Sequence, residues 1–292
     1  MQIRDFGTTG IKVSALGFGA GHLGDDSLSE KEAEHLLNSA VDLGVRLFDS
    51  ARGYQRSEER VGKYLSHRRK DLVFSTKVGY GMPGTQDWTY DCVVAGVREA
   101  MRLMRSDYLD IVHLHSCPSE VLRRGEVIDA LHTMVEQGSV RVAAYSGENE
   151  HLAFAIDSRR FSSIQCSINI CDQRILDDSL PRAKQHGLGV IAKRPAANAP
   201  WRYAECPVGR YAEEYWKRWK TMNLDFGMDW QEIALRFTAY TWGVDSCIVG
   251  TTDLNHLRHN AAVIEKGKLP QSVIDELRTA FRNNDRDWIG QI

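Results

Sequence analysis

The chain has 292 residues, of which 42% are apolar and 26% are charged, a balance typical of globular proteins and unlike that of disordered or collagen-like chains. Its 37 Lys and Arg residues against 39 Asp and Glu residues give a formal net charge of −2, so no global positive field attracts nucleic acid or an anionic membrane. We therefore expect a small-molecule substrate as the partner, with no nucleic acid and no membrane.

Short apolar or β-branched runs alternate along the chain with longer amphipathic stretches, a pattern typical of parallel strands joined by crossover helices. The predicted strands cover residues 15–18, 46–49, 72–77, 109–115, 140–146, 163–167, 189–193 and 246–250. The predicted helices cover residues 29–44, 57–65, 91–104, 123–137, 151–157, 176–186, 229–242 and 254–264. Strict alternation of eight strands with eight helices predicts an α/β fold, a (β/α)8 TIM barrel, because an open doubly wound sheet usually has fewer strands.

Capping signals fix the ends of several predicted helices. Ser29 with Glu32 forms a capping box, and Asp229 with Glu232 follows the same logic with an aspartate. Glycines, which take positive φ at no steric cost, directly follow three predicted helices, at Gly44, Gly138 and Gly187.

Three pieces fall outside the repeat. Residues 2–13 predict an N-terminal β-hairpin, positioned to plug the bottom of the barrel. Residues 194–228 form a long loop after the seventh barrel strand, and loops of this size are typically functional. Residues 270–292 add a terminal helix and tail. With no linker between these pieces, we expect residues 1–292 to form one barrel domain.

The six cysteines include no C-x-x-C pair, so we interpret them as reduced thiols. The first residues lack the apolar run of a secretory signal, and no stretch of about 18 apolar residues follows. These features predict a cytoplasmic protein. No long exposed apolar stripe is evident, and we expect a monomer.

His113 and His115 form an H-x-H pair, but no third ligand follows at a recognisable spacing, so we expect no metal.

Polar side chains stand where the apolar barrel strands end. In a barrel of this type, chemistry belongs at the carboxyl ends of the strands. The residues at or near these ends are Asp49, Lys77, His115, Ser146, Gln165 and Lys193. Buried charges are costly unless they pair, so we expect Asp49 and Lys77 to form an ion pair.

The short loop at residues 49–54 can fold Tyr54 back over the mouth of the barrel. A free phenol has a pKa of about 10, and a nearby cation favours the phenolate and lowers that value. Such a hydroxyl can donate and accept a proton near neutral pH. With His115 able to hydrogen-bond the same oxygen, these groups predict a site where a carbonyl oxygen is protonated or an alcohol deprotonated.

Four segments match a family pattern in order and spacing, at residues 6–19, 47–54, 75–78 and 110–118. Through them the chain resembles the aldo-keto reductases over nearly its full length. The resemblance implies a nicotinamide cofactor bound across the barrel mouth without a Rossmann fold, in agreement with the lack of a G-x-G-x-x-G motif after the first strand. It implies a role for each of four residues: Tyr54 as proton donor, Lys77 as the cation that lowers the pKa of the tyrosine, Asp49 as the partner of the lysine and His115 as the group that orients the carbonyl.

The resemblance also implies cofactor contacts on the other strands. Ser146 and Gln165 match the residues that hold the carboxamide, and Gly147 stands where the family usually has Asn. Lys193 and Arg194 stand where many members stack an aromatic ring on the nicotinamide, and an Arg plane can replace that ring.

The segment 249–260 looks like the adenosine-phosphate loop, with candidate contacts at Gly250, Thr251, Thr252, His256 and Asn260. Members that prefer the 2′-phosphate place Lys and Arg where this chain has Gly250 and His256. We expect NADP(H) because it is the more frequent cofactor in the family, with NAD(H) as the alternative.

Aromatic residues in two loops are candidate substrate walls: Trp88, Trp201 and Tyr203. The sequence therefore predicts an NAD(P)(H)-dependent oxidoreductase that interconverts a carbonyl, in an aldehyde, ketone or sugar, and an alcohol by hydride transfer. Two alternatives stay open. One is a nicotinamide-cofactor-binding regulatory subunit on the same scaffold, and the other is a metal-dependent barrel hydrolase that uses His113 and His115.

Overall fold

The computed structural model describes residues 1–291. Its ten strands are β1 (Ile3–Asp5), β2 (Lys12–Ser14), β3 (Leu16–Gly19), β4 (Leu47–Asp49), β5 (Val73–Val78), β6 (Leu109–His115), β7 (Val140–Ser146), β8 (Ser163–Ser167), β9 (Gly189–Lys193) and β10 (Ser246–Val249). Strands β3 to β10 are all parallel and close into a barrel in chain order, with β10 paired to β3. The predicted (β/α)8 barrel is confirmed.

Eleven α-helices are present in the described residues: α1 (Glu30–Asp42), α2 (Ser57–Leu65), α3 (Tyr90–Leu103), α4 (Ser119–Arg124), α5 (Glu126–Glu136), α6 (Asn149–Asp157), α7 (Ser179–Gln185), α8 (Glu213–Met222), α9 (Trp230–Tyr240), α10 (Leu254–Glu265) and α11 (Gln271–Asn284). None of the helices in residues 1–291 combines the length and the apolar character needed to span a bilayer.

Two helices correct the sequence prediction. The helix predicted at 123–137 is divided into α4 and α5, because Gly125 takes a left-handed conformation at φ +82° and ends the first of them. The long loop predicted at 194–228 contains α8, whose buried Tyr215 belongs to one hydrophobic cluster with residues of α9 and α11. That all these parts fold as one domain stays a prediction.

One of the two predicted capping boxes is complete in the structure, and the other is present only in part. Ser29 accepts a hydrogen bond from the Glu32 amide, and the Glu32 carboxylate accepts one from the Ser29 amide, which confirms the capping box. Asp229 caps α9 by accepting from the Gln231 amide, but Glu232 binds cations from α9 and from the end of α10 instead. The three glycines that were predicted to end helices all have positive φ, between +72° and +85°: Gly44, Gly138 and Gly187.

The N-terminal hairpin of β1 and β2 closes the bottom of the barrel, as predicted. Its turn residue Phe6 is fully buried and packs with residues of the barrel interior, including Leu47 and Ile191. A Cβ atom at Gly189 would lie 2.6 Å from the Phe6 ring, so glycine is needed where the hairpin packs into the barrel. The opposite end, where the barrel strands finish, is the mouth.

Candidate active site

Lys77 and Asp49 form a buried ion pair at the mouth. Lys77 Nζ donates to Asp49 Oδ2 at 2.6 Å and to the carbonyl oxygen of Ser50 at 2.7 Å. Burial by itself lowers the pKa of Lys77, but the charge of Asp49 and the interaction with Tyr54 outweigh it and raise that pKa. Burial likewise raises the pKa of Asp49, but Lys77, with His113 and the Ser75 hydrogen bond, more than reverses the effect and lowers that pKa. The lysine is therefore held as a cation.

Tyr54 lies beside this cation. The Tyr54 amide donates to the Ala51 carbonyl at 3.0 Å, which makes the turn that brings the ring back over the strand ends. Lys77 Nζ lies 4.8 Å from the centroid of the Tyr54 ring, and the ring meets His115 edge-on with centroids 6.0 Å apart. A phenol, an ammonium and an imidazole thus surround one space, in which an oxygen atom can exchange a proton and accept hydrogen bonds.

His115 is neutral in this environment. Burial, followed by repulsion from Lys77 and Lys193, lowers the pKa of His115 to about 3. Its Nδ1 atom lies 2.8 Å from the hydroxyl oxygen of Tyr80, and the two rings stack with centroids 5.5 Å apart. Sequence analysis missed Tyr80. Its position three residues after Lys77 indicates that it lies near the strand end, but does not show whether its ring turns towards the mouth.

A second layer of hydrogen bonds lies below the ion pair. Ser75 Oγ donates to Asp49 Oδ1 at 2.7 Å and lies 3.1 Å from Nε2 of His113, which burial keeps neutral by lowering its pKa to about 4. Gln165 Nε2 donates to the same Asp49 oxygen at 2.9 Å. Ser75 was not predicted as a site residue, and His113 was considered only as a metal ligand in the hydrolase alternative. The pairing of β4, β5 and β6 brings both residues to the Asp49 side of the mouth.

Ser146 and Gln165 meet on β7 and β8, where Ser146 Oγ donates to Gln165 Oε1 at 3.1 Å. Ser146 keeps lone pairs that can accept, and Gln165 keeps a second N–H that can donate. This donor and acceptor set fits the carboxamide of a nicotinamide, which has both N–H groups and a carbonyl oxygen. At Gly147, a Cβ atom would lie 2.4 Å from the hydroxyl of the buried Tyr145, which explains why no Asn stands there.

Lys193 and Arg194 each have partners that sequence analysis did not identify. Lys193 Nζ lies 3.1 Å from Oε1 of the buried Glu148, which also accepts from the hydroxyl of Ser167 at 2.8 Å. Arg194 donates to Ser167 Oγ at 3.0 Å, and its guanidinium lies 5.1 Å from the centroid of the Tyr211 ring. These two cations are thus fixed in a polar network at the β9 end.

The C-terminal tail joins this network. Asn149 and Gly290 exchange two hydrogen bonds, at 2.7 and 3.0 Å. The Gln291 amide donates to Asp172 at 3.3 Å, and the Gln291 carbonyl accepts from Arg194. No local pattern marks Gly290 and Gln291 as site residues, because Asn149, Asp172 and Arg194, which bind them, lie more than 90 positions away in sequence.

The predicted adenosine loop surrounds the start of α10. Gly250 and Thr252 are exposed, and Thr251 Oγ1 accepts from the Asp253 amide at 3.0 Å. The exposed His256 has its Nε2 atom 4.0 Å from the Asp253 carboxylate. Asn260 is buried and accepts from Gln231 at 3.0 Å. The loop therefore offers hydroxyls and a helix N-terminus, but also a carboxylate.

The aromatic candidates lie in different surroundings. Trp88 meets the Tyr80 ring edge-on with centroids 5.9 Å apart, next to the four predicted catalytic residues. Trp201 instead stacks on Trp230 with centroids 6.3 Å apart, and the Tyr203 carbonyl accepts from the indole of Trp216 on α8. That Trp201 and Tyr203 touch a substrate stays a prediction.

His113 and His115 lie on the same strand with different partners, Ser75 and Tyr80. Within residues 1–291, we find no group of three His, Cys, Asp or Glu side chains arranged to hold a metal ion.

Comparisons with known proteins agree with this geometry. The sequence model of the Aldo/keto reductase family matches residues 15–281. The chain is 26% identical to a probable voltage-gated potassium channel subunit beta of Oryza sativa subsp. japonica, over 98% of both chains. It is 26% identical to L-galactose dehydrogenase of Arabidopsis thaliana, over 90% of this chain and 88% of that one. An aldo-keto reductase of Bacillus halodurans in its holo form superposes with a TM-score of 0.83 at 24% identity, over 96% of both chains, a likeness that concerns the fold.

Proposed function

The chain belongs to the aldo/keto reductase family of oxidoreductases, and from this premise we propose that it interconverts a carbonyl group and an alcohol by hydride transfer with a nicotinamide dinucleotide. One observation carries the proposal. The ammonium of Lys77, fixed by Asp49, lies 4.8 Å from the Tyr54 ring centroid, with the neutral His115 edge-on to that ring. This is the set of groups that proton transfer to a carbonyl oxygen requires.

The Tyr54 hydroxyl gives its proton to the carbonyl oxygen in reduction and takes it back in alcohol oxidation. Because Lys77 remains positively charged, its field favours the phenolate that Tyr54 becomes after the proton has left. Asp49 and the Ser50 carbonyl hold the ammonium in place, so no reorganisation is needed during the reaction. His115, being uncharged, donates a hydrogen bond to the substrate oxygen and does not compete as an acid.

A bound nicotinamide dinucleotide supplies the hydride for reduction and accepts it in the reverse direction. Ser146 and Gln165 would hold its carboxamide, and Arg194 would offer a planar cation where other family members use an aromatic ring. Lys193 and Gly147 line the same half of the mouth. The phosphates would lie near the N-terminus of α10, where oriented N–H groups favour anions.

The cofactor that we propose is NADP(H), with Thr251, Thr252 and His256 as partners of the 2′-phosphate and with Gly250 and Asn260 lining the loop. NAD(H) is the alternative, and the Asp253 carboxylate 4.0 Å from His256 favours it, since a negative charge at this place opposes a phosphate. Parallel titrations of the tryptophan fluorescence with the two dinucleotides decide between them.

The proposed substrate is an aldehyde, a ketone or a sugar. Similarity to L-galactose dehydrogenase supports a sugar, and the rings of Trp88 and Tyr80 beside His115 offer an aromatic wall for it. Trp201 and Tyr203 remain candidate walls on the loop before α8. Gly21 is exposed next to the Tyr54 ring, so the mouth is open on that side.

We also propose that the protein works in the cytoplasm as a monomer. All six cysteines are free thiols, and five of them are buried, which suits a reducing compartment.

A second candidate function is that of a cofactor-binding regulatory subunit. The similarity to a potassium channel subunit beta favours it, because fold and family leave room for both roles. The full set of Tyr54, Lys77, Asp49 and His115 favours the enzyme.

Transfer of deuterium tests the proposal directly. The protein is incubated with reduced dinucleotide deuterated on the nicotinamide ring and with a panel of aldehydes, ketones and sugars, and the products are analysed by mass spectrometry. We expect deuterium on the former carbonyl carbon of at least one product. Dinucleotide binding without label transfer to any of the compounds, together with stoichiometric capture of a partner protein, would favour the regulatory subunit.

A further inference from the structure

The hydrogen bond that His115 can offer a substrate depends on which ring nitrogen carries its proton. A neutral imidazole has one N–H donor and one bare nitrogen acceptor. His115 Nδ1 is already engaged, because it lies 2.8 Å from the Tyr80 hydroxyl oxygen. Nε2 is therefore the nitrogen available to a substrate oxygen, and it serves as a donor only if the proton is there.

The direction of the Tyr80–His115 hydrogen bond follows from the donors and acceptors that are available to the two groups. In the part of the chain that the structure describes, His115 Nδ1 is the hydrogen-bond partner of the Tyr80 hydroxyl, and no second acceptor is present. If Nδ1 carried the proton, Tyr80 would have to accept from it, and the phenol hydrogen would have no acceptor among the described protein groups and would depend on water at this half-buried position. If Tyr80 donates to Nδ1, the phenol is satisfied and the imidazole proton stays on Nε2.

The Tyr80 ring is held by packing that does not depend on its hydroxyl. The ring stacks on His115 with an interplanar angle of 28° and meets Trp88 edge-on. Gly79, at φ +126°, allows this approach, since a Cβ atom there would lie 2.2 Å from the Trp88 ring. On the other side, a Cβ atom at Gly53 would lie 3.0 Å from the Tyr80 hydroxyl oxygen. Removal of the hydroxyl alone therefore leaves the ring in place.

We propose that Tyr80 is a positioning residue that donates a hydrogen bond to His115 Nδ1 and so keeps the imidazole in the tautomer with its proton on Nε2, directed at the substrate oxygen. The link to turnover rests on the proposed carbonyl chemistry. The tautomer itself does not, and it can be measured without a substrate.

The test compares wild type with Tyr80→Phe, using full-length protein with ¹⁵N-labelled histidine. Protonated and bare imidazole nitrogens resonate far apart, and His115→Gln identifies the His115 signals among those of the 10 histidines. We expect a bare Nδ1 and a protonated Nε2 in wild type, and a mixture of tautomers in Tyr80→Phe. A protonated Nδ1 in wild type, or an unchanged His115 spectrum in Tyr80→Phe, would overturn the inference.

Turnover provides the second measurement. We expect Tyr80→Phe to lower kcat about tenfold, with dinucleotide binding unchanged, and to have no further effect in a His115→Gln background. Tyr64→Phe is the matched control, because the Tyr64 hydroxyl donates to Glu30 at 2.7 Å on the outside of the barrel. An equal loss of kcat with and without His115 would contradict a role through that residue. A wild type that turns over no carbonyl would remove the proposed function, while the NMR result would still decide whether Tyr80 fixes the tautomer.

Discussion

The two halves of the barrel mouth are built in different ways. The half on β4 to β6 holds Asp49, Lys77 and His115, which lie on neighbouring strands. Tyr54, from the loop after β4, completes this half. The half on β7 to β9 holds Lys193 and other charged residues, whose network also includes the C-terminal tail. The proton chemistry that we propose thus belongs to the half whose residues are close in sequence or on neighbouring strands, while the second half includes a segment that docks from far along the chain.

The largest effect that we expect is on catalysis, which we assign to the first half. Tyr54→Phe removes the proposed proton donor and leaves the β7 to β9 half intact. We expect kcat to fall by roughly 100- to 10,000-fold, while the dissociation constant of the dinucleotide, measured by fluorescence titration, stays the same. The Tyr64→Phe variant is the control for loss of a tyrosine hydroxyl elsewhere. Turnover close to that of wild type would mean that another group donates the proton.

The next effect concerns stability. Asp49→Asn leaves the Lys77 ammonium buried without its counter-ion, and we expect the free energy of unfolding to fall by about 3–5 kcal/mol, measured by urea denaturation. Asp110→Asn is the matched control. Asp110 is equally buried and paired with Arg69 at 2.7 Å and Arg141 at 2.9 Å, but it lies at the amino end of β6, away from the mouth.

The control separates folding from function. Both variants should be destabilised, but only Asp49→Asn should also lose turnover per folded molecule. If Asp110→Asn loses turnover to the same degree, the activity loss reflects general destabilisation and not the site.

The two halves should respond to pH with opposite signs. Burial, and after it the charge of Glu148, raises the pKa of Asp172 in the second half from 3.8 to about 7. The folded carboxyl then keeps a proton that the unfolded one loses, so stability falls as the pH rises from about 4 to about 7. Burial lowers the pKa values of His113 and His115 in the first half from 6.5 to about 4 and about 3. The unfolded imidazoles bind protons first, so stability falls as the pH drops below about 6.5.

Substitutions separate these two contributions. We expect the free energy of unfolding of Asp172→Asn, relative to wild type, to increase by roughly 2–4 kcal/mol between pH about 4 and about 7. For His115→Gln, the free energy of unfolding relative to wild type should instead decrease over the same pH range, because the variant lacks a histidine whose protonation destabilises the wild type in acid. Parallel denaturation curves at each pH provide the measurement, and differences that do not vary with pH would contradict both assignments.

The smallest effect concerns the tail. Asn149→Gly removes the two hydrogen bonds that hold Gly290 without straining the left-handed backbone at φ +54°, and we expect a loss of about 1 kcal/mol in stability together with faster hydrogen exchange at the Gly290 amide. Asn38→Ala is a suitable control for exchange at Gly290, because the side chain of Asn38 donates to Glu34 of its own helix and, within residues 1–291, has no side-chain partner in the tail. Unchanged exchange at Gly290 would mean that the tail is held by its other contacts alone.

Much of the arrangement of the candidate site could be predicted because its signals are local. Asp49, Lys77 and His115 each end a recognisable apolar run, and parallel strands bring such ends to one edge. Tyr54 follows Asp49 by five residues, so its proximity needed only a short turn. Tyr80 was missed although it lies close to Lys77 in sequence, because nothing in the pattern tells whether a strand-end aromatic turns inward or outward.

The remaining contacts have no local signal. Ser75 and His113 lie on β5 and β6, but only the registers of β4 with β5 and of β5 with β6 bring Ser75 to Asp49 and His113 to Ser75. Gly147 was identified as a departure from the family, and its reason, the ring of Tyr145 in the space of a Cβ atom, became visible only in three dimensions.

Hydrophobic periodicity and the glycines at helix ends were enough to predict the barrel, its hairpin and the order of the polar strand ends, because these features depend on patterns within about 20 residues. Tertiary structure alone decided the pairing of His115 with Tyr80 and the docking of the tail. These depend on which groups become buried together, and burial is a property of the folded chain and not of any single segment of it.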